Sequence, residues 1–214
     1  MNRTSRVFSI CFAAILLIAL PALSFEYPLS DTAIREAFLT GNANNGHSTE
    51  LFVTYAHNFS APESGPYVSV IRLKTPYEQV AQRGATASNY HAEEAEKEFL
   101  GKPLPLIVAV QIQFTPTYPD YNQNFGAAYS LLQPLPDYLH DFQIDVSQDS
   151  TITPEASRAY LTSSYFSNTI WGISGLVIEQ QYDPKQIDSS ELTVEVHTPD
   201  GQDVATTFDM SQIK

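Results

Sequence analysis

Alternation near the C-terminal end most narrows what this sequence can fold into. Leu192, Val194 and Val196 alternate with Thr193, Glu195 and His197; further on, Val204, Thr206, Phe208 and Met210 fall on one side and Asp203, Ala205, Thr207 and Asp209 on the other. A period of two belongs to strands with one buried and one wet face, so Leu192 to Met210 reads as a β-hairpin. The turn between them is Thr198-Pro199-Asp200-Gly201. Pro199 presets the φ of a turn's second residue, Asp200 can bond its own backbone, and Gly201 can take a positive φ. Phe208 is expected in the core, where it and the turn residues carry stability.

The same logic reaches backwards. Phe142, Ile144 and Val146 point inward against Gln143, Asp145 and Ser147, and strands are expected at Tyr67 to Lys74, Arg158 to Phe166 and Ile170 to Gln181. Leu106 to Thr115 is apolar on both faces in its first half, which predicts a central strand. Helices are expected first at Leu29-Ser30-Asp31, where Ser30 is a good N-cap and Leu29 can staple onto Ile34, with Gly41 as the stop. A second helix is expected after Ser48 from Phe52, Tyr55, Ala56 and Phe59 at i, i+3, i+4 and i+7. A helical turn at Pro76 to Arg83 and an exposed helix at about His91 to Leu100 follow.

Seven strands with short connections and no βαβ rhythm predict a mainly β (α+β) fold. The expected architecture is an Ig-like or C2-like antiparallel β-sandwich with a small N-terminal helical layer. The expected organisation is a signal peptide over 1–24 and one domain over 25–214, with the helical layer in 25–64 and the β-rich body in 65–214.

The address follows from the first residues. Arg3 and Arg6 form a basic patch, Val7 to Leu20 is uncharged and mainly apolar, Pro21 breaks it, and Ala22-Leu23-Ser24 offers small residues for cleavage near Ser24. As a helix the apolar run reaches only about 21 Å, short of a bilayer core of roughly 30 Å, so the chain meets a membrane only if this segment stays uncleaved. The expected location is secreted or periplasmic. The one cysteine, Cys11, falls inside the segment, so the mature chain is cysteine-free and forms no disulfide. The formal charge is −13, and two units more negative once Arg3 and Arg6 are cut away. Such acidity excludes nucleic acid as a partner, because no basic patch exists to release counterions.

No set of residues announces chemistry. His47, His57, His91, His140 and His197 are single, with no HExxH spacing, and no metal or cofactor is expected. Asp137, Asp141, Asp145 and Asp149 recur every four residues, but the alternation around them makes this a strand, where that spacing spans about 13 Å and cannot share one ion. A Ca²⁺ site would need separate loops, such as those of Asp183, Asp188 and Asp200. Gly172-Ile173-Ser174-Gly175 contains Gly-x-Ser without the remaining glycine of a nucleophile elbow, and reads as a bend between strands. Glu93, Glu94, Glu96 and Glu98 read as a solvated helix face. No catalytic residue is assigned.

Pro116 to Asp141 breaks the pattern. Its prolines sit among Tyr118, Tyr121, Phe125, Tyr129 and Tyr138. Tyrosines on a proline-constrained loop can stack on sugar rings or anchor a protein, or simply close the end of a sandwich.

The runs YPLSDTAIREAFL at Tyr27 to Leu39, GPYVSVIRLKTPYEQV at Gly65 to Val80 and TPDGQDVATTFDMS from Thr198 resemble exported bacterial proteins of an uncharacterised family. The resemblance implies export from a bacterial cell and carries over no functional residue. The functional expectation is a non-catalytic binding or interaction protein of the envelope or periplasm, its partner an unknown envelope protein or a glycan. A carbohydrate-binding module of sandwich type and an enzyme with an unfamiliar site are the alternatives.

Overall fold

The computed structural model describes residues 26–43, 52–115, 142–167, 170–199 and 201–214, and of 163–173 it describes the backbone alone. The expected signal segment, the five aromatic residues Tyr118, Tyr121, Phe125, Tyr129 and Tyr138, and Asp200 lie outside them.

The protein is mostly β, with two antiparallel sheets and a few helices. In chain order the elements are α1 (Asp31–Asn42), β1 (Ala56–Asn58), β2 (Pro66–Lys74), α2 (Pro76–Thr86), α3 (Ala92–Phe99), β3 (Leu106–Phe114), β4 (Gln143–Ser147), β5 (Thr151–Ile152), β6 (Ala156–Ser167), β7 (Ile170–Tyr182), β8 (Glu191–His197) and β9 (Asp203–Asp209). One sheet runs β1-β2-β3-β7-β6 and the other β5-β4-β8-β9. The described residues thus hold nine strands where the alternation suggested seven; the short β1 and β5 carry too few residues to show a period.

One core joins the two sheets. Ile71, Leu73, Val108, Val110, Ile112, Leu176 and Ile178 from the first meet Ile144, Val146, Leu192, Val194, Val196 and Phe208 from the second. Each such side chain contributes about 1.5–3 kcal/mol by leaving water, which holds the sheets face to face. The hairpin is as the alternation predicts: β8 pairs with β9 from Glu191↔Asp209 to His197↔Asp203, and Gly201 sits at φ +80° in its turn. The doubly apolar β3 lies at the centre of its sheet, between β2 and β7.

The helices form a second cluster, built from Leu29, Ile34, Ala37, Phe38, Tyr77, Val80, Ala81 and Ala95. Ser30 caps α1, its hydroxyl accepting from the Ala33 N–H. The layer is not purely N-terminal, because α2 and α3 lie between β2 and β3, with only the N-cap Thr75 between Lys74 and α2. Gly41 does not stop α1. It is helical and buried, and a Cβ there would fall 1.8 Å from the Ala81 carbonyl oxygen, so its small size lets α1 lie against α2.

Two further expectations are corrected. The second helix gives way after residue 54 to β1, which pairs with β2 through Ala56↔Arg72 and Asn58↔Val70. A few apolar residues at helical spacing also suit a short edge strand when a neighbouring strand offers free backbone groups. Tyr55 turns inward instead: its hydroxyl donates to the Lys214 carbonyl and accepts from the Lys214 N–H, and burial pushes it up to about 12. Gly172 to Gly175 is not a bend between strands but part of β7. The pairs Thr162↔Gly175 and Ser163↔Ile173 leave Ser174 as the extra residue of a bulge.

Candidate functional site

Cross-strand register places polar chemistry on the outer face of the five-stranded sheet. One row across it reads Ala56, Arg72, Ala109, Glu179, Arg158, and the next reads Asn58, Val70, Gln111, Val177, Tyr160. Alanines flank Arg72 on both sides, so the long side chains of the first row lean over a low floor. Phe52 and Val53, from the turn before β1, raise one wall. The result is a groove of about 530 Å³, lined by these two residues and by Ala56, Asn58, Val70, Arg72, Lys74, Ala109, Gln111, Tyr160 and Val177.

Glu179 anchors the face. Its side chain is only 2% exposed, and it accepts from Lys74 Nζ at 2.6 Å and from Arg158 Nε at 2.7 Å. The Tyr160 hydroxyl reaches it at 3.4 Å. Burial pushes the Glu179 carboxyl up, but the hydrogen bonds and charges of Lys74 and Arg158 outweigh that and hold it below the usual range. It is therefore a charged, saturated acceptor.

Arg72 and Glu78 differ. Arg72 Nε and both Glu78 carboxylate oxygens are buried without a hydrogen-bond partner among the described residues. Glu78 stands in the first turn of α2, capped by the Thr75 hydroxyl, and is fully buried. Burial raises it to about 7, against the opposing charges of Arg72 and Lys74. An unsatisfied buried donor or acceptor costs about 1–3 kcal/mol, so these atoms mark where stability has been given up.

The four-stranded sheet carries a second cluster on its outer face. His197 Nδ1 lies 2.7 Å from Asp203 Oδ1, and its Nε2 lies 3.3 Å from Asp145 Oδ2. The Asp203 hydrogen bond raises the imidazole's pKa, desolvation opposes it, and the charges of Asp203 and Glu195 with the Asp145 hydrogen bond add to the rise. Glu195, His197 and Asp203 offer ligand atoms within 4.8 Å of one another and could hold a cation. With both ring nitrogens already facing carboxylates, the arrangement is completed by a protonated imidazolium.

Of the predicted structural residues, Ser30, Gly201 and Phe208 stand where expected, with Phe208 2% exposed and its ring edge-on to His57 at 4.7 Å. Asp183 and Asp188 serve local turns, accepting from the Lys185 and Ser190 N–H groups respectively. The exposed glutamates of α3 are not idle: Glu96 pairs with Arg35 at 2.7 Å, and Glu94 accepts from the His91 N–H. The sequence reading missed Arg72, Lys74, Arg158 and Glu179 as a group. The usable signal was a lone charge, Glu179, directly after the apolar run Leu176 to Ile178, together with two bases on the outward face of β2. Comparison with protein-family models, with curated proteins and with solved structures finds no match for this chain.

Proposed function

We propose that this is an exported, non-catalytic binding protein of the bacterial envelope or periplasm, built on an Ig-like sandwich and taking a small amphipathic ligand in the groove over β2, β3 and β7. The observation that carries the reading is the groove itself. This face keeps Arg72 Nε buried in the lining of the groove and Glu179 buried beside it, while Phe52, Val53, Val70 and Val177 give the groove apolar walls. Binding fits better than catalysis because the nearby acids are committed: Glu179 is held by two cations and Glu78 is sealed from solvent. Strand order supports the Ig-like reading, since β2-β3-β7-β6 and β5-β4-β8-β9 follow A-B-E-D and C′-C-F-G. Export rests on Arg3, Arg6 and the apolar run after them.

Ala109→Phe tests the site by filling its floor. A thermal-shift panel of organic acids, amines, sugars and neutral amphiphiles should contain a class that raises the Tm of the native chain but not of the variant. A panel that shifts neither, or shifts both equally, overturns the reading.

A second reading keeps the aromatic residues Tyr118, Tyr121, Phe125, Tyr129 and Tyr138 as the contact for an envelope protein or a glycan. The observation favouring it is that β3 ends and β4 begins at the same end of their sheets as the β6–β7 and β8–β9 turns, where Ig-like domains carry their binding loops. Changing Tyr118, Tyr121 and Tyr138 together to Ala should abolish capture of that partner from envelope extract, and unchanged capture rejects it.

A further inference from the structure

We propose that the groove is a carboxylate site, in which the Arg72 guanidinium takes the acid group of a small monocarboxylate whose apolar body lies along Phe52, Val53, Val70, Ala109 and Val177. The inference rests on the groove being the ligand site and adds the chemistry of what enters it.

Charge bookkeeping on the face selects an anion. Lys74 and Arg158 converge on Glu179, and that carboxylate is saturated by them. Arg72 stands in the same cross-strand row but makes no hydrogen bond among the described residues, and its Nε is fully buried. Glu78 lies close enough to feel its charge, yet forms no hydrogen bond with it. The groove therefore holds one guanidinium not matched by a bonded acceptor, in a chain whose net charge is −13. A planar guanidinium facing a groove is best satisfied by a carboxylate, which can accept two parallel N–H bonds from it.

The walls select the rest of the ligand. Apart from Arg72, Lys74, Asn58, Gln111 and the Tyr160 hydroxyl, the lining is aliphatic or aromatic. A phosphate or sulfate would need several charged donors around it, whereas among the described residues the lining adds to the Arg72 guanidinium only Lys74, already bonded to Glu179, and the neutral Asn58, Gln111 and Tyr160. Sites of this size take ligands of drug-like dimensions, and an acid with about eight carbons fits within it. Val53, 63% exposed, and Tyr160, 44% exposed, leave apolar surface at the rim for the tail to cover.

Titration calorimetry with octanoate, octanol, octylamine and inorganic phosphate tests the class. Octanoate should bind at least ten-fold more tightly than the other three, and Arg72→Gln should lose at least ten-fold while Arg72→Lys keeps part of the affinity. If Arg72→Gln fails to fold, Ala109→Leu, which narrows the floor beside Arg72 and keeps its charge, should cost a similar factor. Equal binding of octanol or octylamine overturns the carboxylate and leaves the groove reading standing. Failure of all four overturns the carboxylate too, and the Ala109→Phe panel then decides separately whether the groove binds anything. A native chain that sediments as a dimer, with an Arg72→Gln variant that is monomeric, assigns the groove to a second copy and overturns the small-acid proposal.

Discussion

The Glu179 carboxylate of β7 reaches past β3 to the Lys74 ammonium of β2, 2.6 Å away. The contact is possible because Ala109, directly opposite Glu179 on β3, is too small to stand between them. Arg158 of β6 closes on Glu179 from the other side, so a single buried acid ties together strands on both sides of the sheet's centre.

Removing that acid leaves Lys74 partly buried and uncompensated. Glu179→Gln should destabilise the protein by roughly 2–3 kcal/mol, less than the usual cost of breaking a fully buried pair because Arg158 is largely exposed. Adding Lys74→Met to the variant should return part of the loss. Urea denaturation reads both; an unchanged midpoint for Glu179→Gln would show that the network carries no stability.

Glu78 makes stability depend on pH. Its ordinary value is 4.5 and the fold raises it to about 7. Between these values the unfolded chain gives up its proton first, so the contribution of Glu78 to stability is most favourable below pH 4.5, falls as pH rises to about 7, and is flat above. The full penalty is about 3 kcal/mol. Glu78→Gln should therefore gain on the native chain between pH 4.5 and 8. A difference between the two proteins that is the same at both ends of this range refutes the assignment.

The His197 pair acts with a similar slope for a different reason. Its pKa is raised above 6.5, chiefly by the Asp203 hydrogen bond, so its stabilisation is complete below 6.5 and is lost as pH rises through the raised value. An NMR titration should find the ring titrating above 6.5 and Asp203→Asn bringing it down. A ring indifferent to that substitution would mean the pair does not form in solution.

Gly41 and Ala81 set the spacing of α1 and α2. Since a Cβ at Gly41 would lie 1.8 Å from the Ala81 carbonyl oxygen, Gly41→Ala must push the helices apart, at a cost of about 1–3 kcal/mol. Gly65→Ala, which meets nothing within 4 Å, controls for crowding, though its φ of +110° adds its own strain. Thermal melts separate the cases if Gly41→Ala falls further than the control.

Phe208, 2% exposed, is contacted by His57 of the facing sheet. Phe208→Ala should cost about 3–5 kcal/mol through the cavity it leaves. A loss under 1 kcal/mol, measured by denaturant, would place the ring outside the core.

What this sequence determined by itself is what neighbours along the chain can decide. Period-two alternation assigned the faces of β4, β8 and β9, the doubly apolar run of Leu106 to Val110 marked β3 as central, and Ser30 announced the start of α1, because each depends on residues a few positions apart. Short patterns misled where local spacing was ambiguous: Tyr55 to Phe59 suits a helix until β2 offers its edge, and Gly41 reads as a stop until Ala81 lies against it. Only the tertiary structure decided which charges meet. Arg72, Ala109, Glu179 and Arg158 share a row, and Asp145, His197 and Asp203 share a patch, through register between strands distant in sequence. That register is set by the packed core and the turns, and no local pattern encodes which side chain will stand opposite another.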